Sequence, residues 1–435
     1  MNTWHALLSR FPFLALALGL AYLTYEGGAW RGVMSMTSAP RTLWLLAAAF
    51  GVWLAWRTAR RLAWERTALD LAIALWITAF LVSTLSNSEK LPRIGYGLWF
   101  AALYIALWYS LHDVLRYGVG RPAAVDALLI SAILPLFTAL RQVGLPGVNR
   151  IAGSLENPNI LAAFLVLVTP LAAARFLAPP PSWAASMQRV MLGIFTLALC
   201  LAVYLTGSRG AWLGMIAAAA IGAWAWHGGR VRAVWLIMAV TVILIIIGLF
   251  LITTRSDEPR LELYRQALEY LAAQPLTGNG LFTAKFYQPL LDRPGFVLLH
   301  IHAHNAPLHV AAELGLLGVL ALGITTWLTM REGIIGWRQA REGERTLRTG
   351  ALAALAGFGA HHMVDFPVIT PAVAVTLIVV LCIALLPDEA RARRGGQGIQ
   401  TALIGALWLG LVIVGQLNLA TVWEGMRSAV NRGIP

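Results

Sequence analysis

Apolar runs of roughly 18–20 residues recur along the whole of this 435-residue chain. Each is long enough to cross the hydrocarbon core of a bilayer as a helix. The chain is 59% hydrophobic and only 12% charged, where a soluble protein of this size carries about a quarter charged residues. The pattern predicts an all-α polytopic integral membrane protein. Expected spans are 11–23, 41–57, 68–85, 96–111, 124–141, 158–178, 189–206, 211–226, 233–253, 304–330, 347–363, 368–387 and 401–420. The count is about 12, or 13 if the last segment crosses rather than lying along the interface. The first run has no clear small-residue cleavage site and is read as a transmembrane helix rather than a signal peptide.

The formal charge of +13 does not indicate a nucleic-acid partner. The basic residues are scattered between apolar runs, as the positive-inside rule expects, rather than gathered on a soluble domain. Arg57, Arg60, Arg61 and Arg66 share one short loop, and Arg116 with Arg121 follow two crossings later. Arg175 with Arg189, Arg230 with Arg232, the run Arg331 to Arg348, and Arg391 to Arg394 keep the same phase. These loops, with the N-terminus, are assigned to the cytoplasm, and the alternate connections to the periplasm. Lys90 and Arg93 are mild exceptions. Cys200 and Cys382 both lie in apolar runs, which argues against a disulfide framework or thiolate metal site.

The sequence reads as a single transmembrane domain, 1–435, with one large periplasmic loop at 253–303. Within the loop, "DEPRLELYRQALEYLAAQP" reads as a short amphipathic helix. Asp257 or Glu258 suits its cap, Pro259 its first turn, and Pro275 follows its end. Leu261, Tyr264, Leu268 and Leu271 form its expected apolar stripe. "PLTGNG" then makes a turn.

That topology gathers the unusual polar stretches on the outer face: "GSLENPN" (153–159), "TGSRG" (206–210), the loop helix, "HIHAHN" (300–305) and "HHMVDFP" (361–367). Six of nine histidines lie on or near this face. Arg209, in a tight turn at a helix end, fits either a snorkelling arginine or a ligand for an anion through paired, charge-assisted hydrogen bonds. Arg265 has Glu262 and Glu269 three and four residues away, so a solvated ion-pair network accounts for it as readily as a ligand role. Arg260, one turn before Tyr264, has an equal claim. Asn157 and Asn159 flank Pro158 and fit helix capping, hydrogen bonding to sugar or phosphate, or both. Asp365, before Phe-Pro at a helix break, fits a cap or an arginine partner.

If residues 300–304 are extended, His300, His302 and His304 point to one side and could form a metal-binding comb. No H-E-x-x-H spacing or nearby cysteine completes a familiar set. "HNAP" suggests another role. Asn305 suits an N-cap and Pro307 the first turn of the next helix. His304 then sits just before a helix N-terminus, whose partial positive charge disfavours imidazolium. A neutral histidine there can serve as general base, and the same N-terminus attracts an anion such as phosphate. A base with several arginines, and no carboxylate pair, fits glycoside hydrolysis poorly. It fits transfer of a sugar from a lipid pyrophosphate, where the leaving group is already stable as an anion and arginine neutralises the developing charge.

In "GSLENPN", "TGSRG", "RLELYRQALEYLAAQPLTGNG" and "HNAPLHVAAELGLLG" the chain resembles the O-antigen ligase and polymerase superfamily of bacterial envelope glycosyltransferases. The resemblance implies a GT-C-like architecture in the inner membrane with a periplasmic active site. It implies an inverting transferase with no cofactor and no metal. Its donor would be an undecaprenyl-pyrophosphate-linked glycan, and its acceptor the lipid A–core oligosaccharide. By motif, His304 would be the base, and Arg209 and Arg265, with Arg260 competing, would engage the pyrophosphate. Asn157, Asn159, Tyr264, His302 and Asn305 are secondary binding candidates. The alternatives are an O-antigen polymerase of the same superfamily and, from another class, a lipid-linked glycan transporter or flippase.

Overall fold

The computed structural model describes residues 3–26, 39–60, 62, 64–178, 185–229, 258–289, 297–300 and 302–387. The expected spans at 233–253 and 401–420, and Asp257 as a cap, lie outside them. The remaining eleven expected spans fall on helices: α1 (Thr3–Tyr25), α2 (Ala39–Ala59), α3 (Asp70–Ser86), α4 (Leu91–Val114), α5 (Arg121–Leu140), α6 (Pro158–Leu177), α7 (Ala185–Leu205), α8 (Arg209–Trp226), α10 (Ala306–Gln339), α11 (Glu342–His362) and α12 (Pro371–Leu385). The loop helix, α9, is Glu258–Ala273. The loop also contains a hairpin of β1 (Phe286–Pro289) and β2 (Val297–His300), antiparallel with Phe286 opposite His300. By length and composition, five described helices can cross a membrane: Arg93–Val119, Arg121–Leu140, Pro158–Leu177, Ser186–Leu205 and Ala306–Gln339. Phe11–Tyr25, Asp70–Ser86 and Pro371–Leu385 are shorter apolar helices. The molecule is thus a mostly helical, multi-pass membrane protein.

The chain falls into two compact units. The first draws its described residues from Met1–Thr42, Trp108–Ser256 and Met330–Asp388. At its centre is α6, apolar on all sides and buried along nearly its whole length, as expected of a helix surrounded by others. Helices α8 and α11 pack together closely enough that a Cβ on Gly214 would lie 2.6 Å from the Gly357 carbonyl oxygen. Small residues at such crossings let helix backbones approach where lipid supplies no hydrophobic drive. Two buried arginines cap the C-terminal end of α12: Arg121 Nε donates to Ile383 O (3.1 Å), and Arg348 donates to Ala384 O (2.9 Å) and Leu386 O (2.8 Å). Cations suit the negative end of a helix and satisfy its last carbonyls. Arg121 also pairs with Glu344 at 3.0 Å, and Arg175 grips Asp126 with two bonds of 2.7 and 2.8 Å.

The second unit draws on Leu43–Leu107, Asp257–Thr329 and Glu389–Pro435. Its organising feature is a break in α10. Gly315 adopts φ 62, ψ −157, so the helical ladder stops and resumes there. A broken helix frees amides and carbonyls that water cannot reach in an apolar setting, at about 1–3 kcal/mol for each group left unpaired. The segment 275–280 takes up these groups. Ala312 O accepts from Asn279 N (3.1 Å) and Nδ2 (3.0 Å), and Glu313 O accepts from Gly280 N (3.0 Å) and Ser83 Oγ (3.1 Å). On the other side of the break, Leu316 N donates to Pro275 O (2.8 Å) and Leu317 N to Leu276 O (3.4 Å). The expected "PLTGNG" turn is therefore a plug for a helix break.

Contact this close requires glycine at two points. A Cβ on Gly315 would lie 2.5 Å from the Leu276 carbonyl carbon, and one on Gly278, itself at φ +64, would lie 2.3 Å from that of Glu313. Asn87 Nδ2 donates to Gly278 O (3.0 Å) and Lys90 Nζ to Asn279 O (3.1 Å). Lys90, an exception to the charge rule, is thus a structural pin. Gly315→Ala is expected to lower stability by at least about 2 kcal/mol, the scale of a backbone strained into a glycine-only region. Thermal unfolding in detergent measures this, and an unchanged midpoint would contradict the plugged break.

Candidate active site

In the second unit, α9 presents one face to the protein and another to solvent. Leu263 and Ala267 are buried in a cluster with Ala284, Phe286, Ala303 and Ala312, and Tyr270 and Leu308 pack against it. The expected stripe is therefore corrected. Leu261 and Leu268 are exposed, because the inward face is set by the small Ala267, which lets the helix approach Ala303 and Ala312 closely. Tyr264 is half-buried on this inner side, and its hydroxyl donates to the His304 backbone carbonyl at 3.3 Å. Arg260 lies one helical turn before Tyr264, on the same flank, and is half-buried.

Arg265 has a different setting. It is exposed, its Nε and Nη2 donate to Glu262 at 2.8 and 2.6 Å, and its Nη1 bonds Glu269. The hydrogen bond from Arg265, aided by one from Gln266, holds the Glu262 carboxyl down at about 2. Of the two arginines offered by sequence for the same role, Arg260 shares the flank of Tyr264, while Arg265 is held in ion pairs on the solvent side.

The strand β2 ends at His300, and the chain is not extended as far as His304, which has φ 51. A non-glycine residue in this left-handed region is strained by about 1–3 kcal/mol and persists only where its surroundings fix it. Three contacts do so. The preceding Ala303 is fully buried, Tyr264 bonds the His304 carbonyl, and Asn305 anchors the next helix. Asn305 Oδ1 accepts from Leu308 N at 2.9 Å and its carbonyl from His309 N at 2.9 Å, the expected N-cap. The rings of His302 and His304 meet edge to face with centroids 4.2 Å apart. His302, His304, Asn305 and Tyr264 are thus brought together at the start of α10.

The remaining candidates belong to the first unit. Asn157 caps α6, its Oδ1 accepting from Asn159 N (2.8 Å) and Ile160 N (3.3 Å). Asn159 Oδ1 accepts from Arg150 Nη2 at 2.6 Å, and Arg150 Nε donates to Thr206 O at 2.7 Å. Arg150 was not singled out from sequence, although a basic residue in an expected periplasmic connection runs against the charge rule. It ties the start of α6 to the "TGSRG" turn. Arg209, the first residue of α8, is half-buried, and Ser208 Oγ lies 3.5 Å from His361 Nε2. Asp365 is buried and its Oδ1 accepts from Phe366 N at 2.8 Å.

The fold defines a mostly helical, multi-pass membrane protein, with His302, His304 and Asn305 gathered at the start of α10 and Asn157 at the start of α6. The O-antigen ligase family, Wzy_C, matches residues 194–323, which places that stretch in the O-antigen ligase superfamily expected from the motifs. The match runs from within α7 through "TGSRG", α9 and the hairpin to beyond the break in α10. The family implies a glycosyltransferase-like enzyme acting on lipid-linked glycan and lipid A–core type substrates in a membrane. No curated protein matches the chain.

Asn305→Ala is expected to cost about 1 kcal/mol of stability through loss of the cap, and Asn305→Asp to retain most of it. Equal losses in thermal unfolding for both would argue against capping as its structural role.

Proposed function

We propose that this protein is an O-antigen ligase. It transfers a polysaccharide from undecaprenyl pyrophosphate to lipid A–core oligosaccharide at the periplasmic face of the inner membrane. The observation that carries the reading is His304, held in a left-handed conformation between a buried alanine and the N-cap of α10, inside the stretch matching the family.

In this reading His304 takes the proton from the attacking hydroxyl of the acceptor sugar. That oxygen bonds the anomeric carbon on the face opposite the pyrophosphate. The bond from the anomeric carbon to the phosphate oxygen breaks, and its electron pair leaves with the diphosphate, inverting the centre. No general acid is needed, because the leaving group is stable as an anion and cations neutralise its charge. Arg260 is preferred over Arg265 for that work, because it is half-buried on the flank of Tyr264, whereas Arg265 lies exposed on the solvent side. Arg209 carries the same role by motif, and guanidinium geometry suits paired contacts to phosphate. Tyr264, His302 and Asn305 would line the base, and Asn157 and Asn159 would support the start of α6. Neither metal nor cofactor is required.

The test is reconstitution in proteoliposomes with purified lipid-linked glycan and either lipid A–core or a second donor molecule. Product on lipid A–core supports the ligase. Elongated lipid-linked glycan instead would make the protein a polymerase, and movement of donor across the bilayer without transfer would make it a transporter. His304→Ala is expected to abolish transfer and Arg260→Gln to lower it at least about a hundredfold, the scale of losing a preorganised charge contact. Arg265→Gln should stay within about threefold, as expected for a solvated ion pair. Reversal of the two arginine results would restore Arg265 to the site, and loss of activity with chelator would contradict the metal-free reaction.

A further inference from the structure

Two ionisable side chains of α10 lie beneath the His304 segment, buried and unused by the chemistry above. Glu313 is 3% exposed and His309 6% exposed. Glu313 Oε2 is 3.5 Å from His309 Nε2, and Glu313 Oε1 accepts from the Ala284 backbone N–H at 3.3 Å. A carboxyl this deeply buried is costly unless its oxygens are engaged, so its presence in an otherwise apolar stretch calls for a role. Hydrophobic burial does not supply one.

Its contacts point to the base. Ala284 leads into β1, where Phe286 stands opposite His300, and β2 runs from there toward His302 and His304. The His309 ring packs against Phe286 with centroids 5.9 Å apart, and His309 N donates to the Asn305 carbonyl. One carboxyl group therefore touches both supports of the segment that carries His304. Its Oε1 accepts from Ala284, which leads into the strand paired with β2, and its Oε2 lies against His309 on the helix leading out. A strained residue such as His304 keeps its conformation only while both flanks are fixed.

We propose that Glu313 is a positioning residue, whose carboxyl oxygens clamp Ala284 and His309 and so hold His304 in its left-handed conformation. The inference rests on the assignment of His304 as base. What the clamp requires is reach and an acceptor oxygen facing Ala284, rather than negative charge. Gln keeps both, and Asp keeps the charge but is one methylene short.

The experiment measures transfer to lipid A–core by the full-length protein in liposomes, with turnover normalised to the folded, monodisperse fraction. Glu313→Ala is expected to lower kcat about a hundredfold, the scale of a displacement of about 1 Å in a reacting group, with the KM for lipid-linked donor within about twofold. Glu313→Gln should recover at least a third of the turnover and Glu313→Asp no more than a tenth. Turnover of Glu313→Ala near that of the unaltered protein would overturn the proposal, as would activity restored by Asp but not by Gln. Should Glu313→Ala not fold, the Gln and Asp pair decides alone. His304→Ala measured alongside separates the two levels. If it is active, the base assignment and the clamp both fail. If it is inactive while the Glu313 variants behave as the unaltered protein, the clamp alone fails.

Discussion

An apolar helix cannot stop partway without freeing amides and carbonyls that lipid will not satisfy. The break at Gly315 in α10 is possible only because the segment 275–280 supplies the missing partners, backbone to backbone, on both sides of it. That exchange fixes the end of the loop helix α9, since Pro275 and Leu276 follow it directly. It also fixes the first turns of α10, because Ala312 and Glu313 are bonded from outside the helix. The loop is thus joined to the membrane helix as one piece of backbone structure, and does not hang from it.

The site depends on that junction. The loop helix brings Tyr264 to the His304 carbonyl, Ala267 and Leu263 bury Ala303, and Asn305 starts α10 at the following residue. Each contact would be of modest strength alone. Together they hold a histidine in a backbone region that costs about 1–3 kcal/mol, at the N-terminus of a helix where a diphosphate would be attracted. The strain and the dipole lie at adjacent residues, and in the proposed reaction that would set the base beside the anion.

Much of the helical frame was legible in the sequence, because an apolar run of sufficient length has few other options. The N-cap at Asn305 and the cap at Asn157 were legible for the same reason: short polar side chains before Pro-containing helix starts have one favoured bonding pattern. The inward face of α9 was not. Leu261 and Leu268 outrank Ala267 in hydrophobicity, but close packing against Ala303 and Ala312 selects the small residue. Between Arg260 and Arg265 the sequence offered two cations, and only the side of the helix on which each sits separates them. Lys90 looked like an exception to charge bias, and its partner at Asn279 lies 189 residues away. The break at Gly315 was also hidden, since one glycine in an apolar run is compatible with an unbroken helix. Its left-handed φ depends on a segment distant in sequence.

The central claim is that the loop segment and the broken helix share backbone hydrogen bonds. Amide hydrogen exchange on the full-length protein in nanodiscs tests it directly. The amides of Asn279, Gly280 and Leu316 should exchange as slowly as those of the adjoining turns of α10. Exchange at these three positions as fast as in an open turn, beside a protected helix, would contradict the account.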